Sequence, residues 1–281
     1  MGYKSIFTVI TAAAQAGPVV TAAAGICLAE DGHLDALALA VDRTQIGYSS
    51  IGTSAVVLQV EIERAEAEAR ALETATIAAM QAQSPALRWS VEAAVAQMGG
   101  LTDLVASRAR FADLVVLPRP YGPGQGPEAE AVVEAALFEG QSAVLVLPGD
   151  HPTVAMPRRI VVAWNQSAEA RIAVRKALPL LKAADLVNIA VVDPSSHGPE
   201  RSDPGGMLCQ MLVRHGVRAE VSVLARALPR VSDVLARHLR DMNADLLVMG
   251  AYGHSRLRES VLGGATRHML ELAEVPVFMA H

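Results

Sequence analysis

The chain has 281 residues, 52% of them hydrophobic and only 4% aromatic, with a formal net charge of −5. That length exceeds one compact core and suits two domains of about 140 residues each. The apolar fraction argues against disorder, and no long basic or basic–aromatic block offers an extended nucleic-acid surface.

The N-terminal stretch "SIFTVITAAAQAGPVVTAAAGICLA" follows Lys4 and superficially resembles a secretory signal. Gln15, Gly17 and Pro18 interrupt its apolar run too early for a membrane span, so 5–11 reads as a core strand. Further strands are expected at 34–41, 87–92, 112–118 and 142–148. The segment "QVEIERAEAEARALETATIAAMQAQ" reads as a long helix with a charged, solvated face. "GDHPTVAMPRR", with Pro152 and Pro157, has the composition of a linker. Beyond it, strands are expected at 159–164, 186–192, 217–224, 244–250 and 275–280. Helices alternate with them: "SAEARIAVRKALPLLKAA" with Ser167 as N-cap, "GGMLCQMLVRHG", "RVSDVLARHLRDM" and "ATRHMLELA".

Both halves therefore follow one plan. "FADLVVLP" matches "NADLLVMG", aligning Asp113 with Asp245, and Val144 matches Val277 at nearly the same separation. A repeat of this size is a duplication of whole domains, placed at 1–150 and 158–281. Near-continuous apolar strands separated by helices predict α/β/α domains, each with a five-stranded parallel sheet covered on both faces. Cys27 and Cys209 lie far apart in apolar, helix-like contexts. Buried thiols in a reducing cytoplasm are expected, not a disulfide or a zinc site.

The segment "LLVMGAYGHSRLRESVLGGATRHML" concentrates four glycines, Gly250, Gly253, Gly263 and Gly264. Ligands of open parallel sheets lie beyond the carboxyl ends of strands, where glycines let the backbone approach closely and N–H groups converge on an anion. "GGATRHML" then starts a helix whose free N–H groups suit phosphate. Thr266 is expected to add a hydroxyl, and His254, Arg256 or Arg267 a charge. The same glycines also fit turns and helix caps alone.

G-x-x-G, nine residues, then G and a small residue resembles the signature of the ATP-binding universal stress proteins. The likeness extends through "VVAWNQSAEA" and "IAVVD", and two such halves resemble a tandem member of that family. The resemblance implies a Rossmann-like fold related to adenine-nucleotide-binding domains, with ATP, ADP or AMP as ligand. It places Asn165 toward the adenosine part, where the family usually has aspartate, and Val191 as the residue whose backbone meets adenine. Met249, Gly250, Gly253, His254, Gly263 and Gly264 match its phosphate and ribose segment. Gly264 replaces a serine or threonine, while the Asn165 amide oxygen can still accept a hydrogen bond. The family's habit of pairing through the last strand implies an internal pseudo-dimer joining "SAVLVLP" to "VPVFMA", with a homodimer possible.

In the first half, "LPRPYGPGQGPEAEA" offers prolines without N–H donors and the carboxylates Glu128 and Glu130. That domain reads as degenerate for nucleotide, with Thr11 in the position of Asn165. The eight histidines form no metal-like set; His215 and His238, near helix ends, read as solvated or capping. Asp193 or Asp203 could meet Mg²⁺ beside a triphosphate. No P-loop and no nucleophile elbow is present, so no catalytic residue is named and ATP hydrolysis would at most be slow. The expected role is regulatory: a cytoplasmic stress-response protein whose nucleotide occupancy adjusts contacts with an unnamed protein partner, without nucleic acid or membrane. Two alternatives stay open, a nucleotide-free scaffold and an enzyme of the wider nucleotide-binding superfamily.

Overall fold

Asp113 and Asp245 hold the same joint in the two halves of the chain. Asp113 Oδ2 accepts from the backbone N–H groups of Lys4 (2.8 Å) and Ser5 (3.0 Å). The Asp245 carboxylate accepts from those of Arg158 (2.9 Å) and Arg159 (3.0 Å). Each aspartate thus ties the start of one strand to the start of its neighbour, which is why Ala-Asp-Leu recurs.

The structure is a computed structural model that describes residues 2–42, 55–122, 125–149, 156–194, 202–251 and 264–281. It divides into two compact units, Gly2–Ser142 and a second that joins Ala143–Gly149 to Val154–His281. In the first, the elements are β1 (Ser5–Ile10), α1 (Ala13–Ala29), β2 (His33–Asp42), α2 (Ala55–Gln81), β3 (Arg88–Gln97), α3 (Met98–Ala109), β4 (Leu114–Pro118) and α4 (Pro127–Glu134). A π-helical turn, Ala135–Glu139, extends α4. The parallel strand order is β3-β2-β1-β4.

The second unit contains β5 (Val144–Leu147), β6 (Arg159–Ala163), α5 (Ala168–Lys176), α6 (Leu178–Ala183), β7 (Leu186–Val192), α7 (Gly206–Arg214), β8 (Ala219–Leu224), α8 (Val231–Asp241), β9 (Leu246–Gly250), α9 (Ala265–Leu272) and β10 (Val277–Ala280). Its order is β5-β10-β9-β6-β7-β8. Five of these strands are parallel, and β5 runs antiparallel to β10 with Val277 opposite Val146. The two segments expected to pair, 142–148 and 275–280, are therefore hydrogen-bonded to each other, and β5 is grouped with the second unit.

Strands in the middle of each sheet are apolar because helices cover both faces. Ile6, Ile10, Leu37, Leu114, Val162, Leu247 and Phe278 are all fully buried. Helix α1 runs through Pro18 and buries Ala16, Ala22, Ala23 and Ala24, small side chains that allow close approach to β1 and α2. The signal-like stretch is thus a strand followed by a packed helix. Among the described residues no helix is long and apolar enough to cross a membrane.

The single helix expected over 167–184 is two, α5 and α6, which meet at Ala177. Pro179 has no N–H to continue the α5 ladder, but it is tolerated in the first turn of α6. Ser167 caps α5 as expected, its Oγ accepting from Ala170 N–H at 3.1 Å. Both cysteines are free, Cys27 buried and Cys209 half-buried.

Candidate functional site

Strands β6 and β9 are adjacent, with Ala163 opposite Met249. The chain leaving β6 returns to β7 on one side, and the chain leaving β9 returns to β10 on the other. Connections that diverge this way open a crevice at the carboxyl edge of a parallel sheet, the general ligand position of open α/β folds. Asn165, Met249 and Gly250 stand at that crevice.

Gly250 ends β9 without a positive φ. A Cβ built on it would come within 2.7 Å of the Glu169 carbonyl carbon and 2.9 Å of Ala170 Cα, and would also meet the Ala170 nitrogen. Glycine is required here because the first turn of α5 lies directly on the strand end. The freedom to turn, expected from sequence, is not what position 250 uses. Beyond it, Ala251 N–H donates to Ala280 (2.9 Å), and the Ala251 carbonyl accepts from His281 Nδ1 (2.9 Å).

At the end of β6, Asn165 Oδ1 accepts from Ser167 N–H at 3.1 Å, closing a side-chain turn that sets the α5 cap. Between them Gln166 adopts φ 63°. This left-handed conformation costs a non-glycine residue roughly 1–2 kcal/mol. Asp193, after β7, has φ 46°. Two left-handed residues thus lie at the carboxyl ends of neighbouring strands, at the same edge as the crevice.

The backbone direction of Val191 follows from the ladders on either side of β7. In β7 the Ala190 carbonyl accepts from Trp164 N–H (2.9 Å), whereas Val187 N–H and Asp193 N–H donate to Arg218 and Leu224 (both 2.9 Å). Backbone groups alternate sides along a parallel ladder, so Val191 directs its N–H and C=O toward β8, opposite Val223. Val192 is the residue whose backbone faces the side where β6 ends. The Val191 side chain lies against Gly205, whose φ of 84° starts α7.

Met249 is 6% exposed and Thr266 4%, both inside the packed unit. Thr266 stands in the first turn of α9, where its side chain also makes an interaction of its own. Gly264 is the N-cap of α9 in extended conformation, without a side-chain cap. Gly253, His254 and Gly263 lie outside the described residues. The Asp203 carboxylate folds onto Gly206 at the start of α7. Among the described residues no group of three or more His, Cys, Asp or Glu could hold a metal ion.

The corresponding crevice of the first unit, between β1 and β4, is bridged by its own side chains. Gln15 Nε2 of α1 donates to Gln125 Oε1 at 3.2 Å across it, and within the segment after β4 Tyr121 OH donates to Glu130 Oε1 at 2.8 Å. The Glu128 carboxyl, 7% exposed, folds over Gly126 at the start of α4. A carboxylate at a helix N-terminus satisfies the dipole that would otherwise favour phosphate.

Sequence reasoning missed a buried polar network in the second unit. Asn188 in β7, 1% exposed, donates from Nδ2 to Glu220 Oε1 (2.9 Å) and Ser222 Oγ (2.8 Å) of β8. Its Oδ1 lies 2.8 Å from His238 Nε2 of α8, so Nε2 carries a proton. His238 is 9% exposed, and burial holds its pKa below the usual imidazole value, against the opposing influence of Asp241 and Glu220. The solvated or capping role expected for His238 is overturned. A lone Asn within "LVNIAVV" was the available signal, since a buried amide must find partners.

The universal stress protein family model matches residues 156–281. These residues belong to the universal stress protein family. A universal stress protein from Synechocystis sp. is 28% identical over 138 residues, 47% of this chain and 45% of that protein, so the match spans less than half of the relative's length. The fold of the whole chain resembles that of a universal stress protein from Archaeoglobus fulgidus, with 16% identity, TM-score 0.70, and 99% and 97% of the two chains covered. A functionally unknown protein from Pseudomonas aeruginosa is similar over 99% and 92% of the two chains, with 14% identity and TM-score 0.54. The strand order β8-β7-β6-β9-β10 is thus the architecture of a universal stress protein domain, and β3-β2-β1-β4 repeats its first four strands.

Proposed function

We propose that the 156–281 domain binds an adenine nucleotide at the carboxyl edge of β6 and β9, and that occupancy regulates contacts with a protein partner during stress. The observation that carries this reading is the crevice where the connections after β6 and β9 diverge. The first unit, its own crevice bridged by Gln15 and Gln125, is read as retained for packing. On this reading hydrolysis of the nucleotide is at most slow.

The scaffold reading without nucleotide is favoured by two observations. Helix packing is enough to require glycine at position 250, and Thr266 is buried. One measurement separates the two. The protein is purified without added nucleotide and denatured, and the released small molecules are resolved by anion exchange. ATP, ADP or AMP near one per chain supports the site, and Gly253→Glu should abolish it. An empty protein that also gives no heat with ATP supports the scaffold.

A further inference from the structure

Strand β8 ends the sheet of the second unit: it pairs with β7, and among the described residues no strand lies beyond it. Val187 N–H and Asp193 N–H donate to the carbonyls of Arg218 and Leu224, so Arg218, Glu220, Ser222 and Leu224 direct their backbone groups to β7. By alternation Ala219, Val221 and Val223 direct theirs outward. The strand, AEVSVL, holds neither lysine nor proline, the residues that commonly blunt such an edge. The last strand, β10, is by contrast paired on both sides, with β9 and β5.

The apolar surface of this unit points to the same end. Met207, Val213, Val223 and Leu272 are its exposed large apolar side chains among the described residues. The first three belong to β8 and to α7, the helix that packs on it. Val223 is 55% exposed although it stands within a strand. An open strand edge flanked by exposed apolar side chains is a template for a further strand.

Charge selects which strand. An antiparallel copy of β8 must bring outward-facing residues opposite one another. Centred on Ser222, the two-fold opposes Arg218 to Arg226 of the second copy, which repels. Centred on Val221, it opposes Glu220 to Ser222. Centred on Val223, it sets Val223 against Val223 and, at both ends, Glu220 against Arg226, an attractive cross-strand pair. Glu220 accepts from Asn188 through Oε1, so Oε2 can accept from a guanidinium. Arg226 meets the Pro229 carbonyl with one of its five N–H donors.

We infer that β8 is a self-association edge, at which a second copy of this chain adds its own β8 antiparallel across a two-fold at Val223. The contact is isologous, so both edges are closed at once. It stands independently of the nucleotide reading.

The full chain is examined by sedimentation equilibrium between about 1 and 100 μM, where a monomer–dimer equilibrium is expected. Val223→Lys sets two ammonium groups together at the two-fold and should weaken the dimer about ten-fold or more. Its thermal melt should match wild type, because the replaced side chain is exposed. Cysteine substitution reads the register. Opposed residues of a hydrogen-bonded pair have Cα atoms about 5.5 Å apart, within disulfide reach. Val223→Cys should therefore give a covalent dimer on mild oxidation, while Val221→Cys and wild type do not. A chain monomeric throughout the range would overturn the inference. So would a dimer that Val223→Lys leaves intact, or one that Val221→Cys cross-links and Val223→Cys does not. Association with a different protein alone would also overturn it and assign the edge to a foreign strand.

Discussion

Gly250 and Ala170 are in backbone contact: the end of β9 touches the first turn of α5 with no space for a side chain between them. The contact joins the strand that delivers the glycine-rich segment to the helix that starts beside Asn165. Gly250→Ala must push α5 off the sheet edge, because the atoms it meets are backbone and cannot rotate away. Overpacking of this kind typically costs 1–3 kcal/mol, so the melting temperature of the second unit should fall by several degrees. An unchanged melt would mean that α5 does not hold this position.

Asp113 and Asp245 allow the two units to be perturbed separately. Each accepts two backbone N–H groups, and removing the carboxylate leaves both donors to water. Asp245→Ala should destabilise the second unit by roughly 1–3 kcal/mol, and Asp113→Ala the first by a similar amount. Each unit carries one tryptophan, Trp89 in the first and Trp164 in the second. Urea unfolding of Trp89→Phe and Trp164→Phe backgrounds therefore reports the units one at a time. Equal losses in both units from either substitution would show that the aspartates do not act locally.

The His238 network predicts a pH dependence with a definite sign. Burial lowers the imidazole pKa in the fold, so the unfolded chain takes up the proton first as pH falls. The contribution is complete above the unfolded value near 6.5 and is lost as pH falls through the window down to the lower folded value. His238→Gln keeps an N–H that can reach Asn188 Oδ1 but does not titrate. The urea midpoint of wild type should drop more than that of His238→Gln between pH 7.5 and 5.5. Parallel changes in the two proteins would remove His238 as the titrating group.

Much of this fold is legible in sequence because its signals are local and repeated. The ten strands among the described residues stand close to their expected places, since parallel strands covered on both faces must be almost wholly apolar. The Ala-Asp-Leu match falls at the same strand joint in both halves. Helices α1 and α3 are less visible, because alanine and glycine carry little periodic contrast. Tertiary structure decided what depends on neighbours distant in sequence. Gly250 is glycine because a helix eighty residues earlier lies on it. The Asn165 oxygen is committed by the turn into that helix, and Val191 turns its backbone to β8 because the register of β7 is set by partners on both sides. Composition and periodicity determine which segments form strands and which edge of the sheet is open. Which atoms remain unpaired at that edge is determined only when the segments pack, since hydrogen-bond alternation and close backbone contact are properties of pairs and not of single residues.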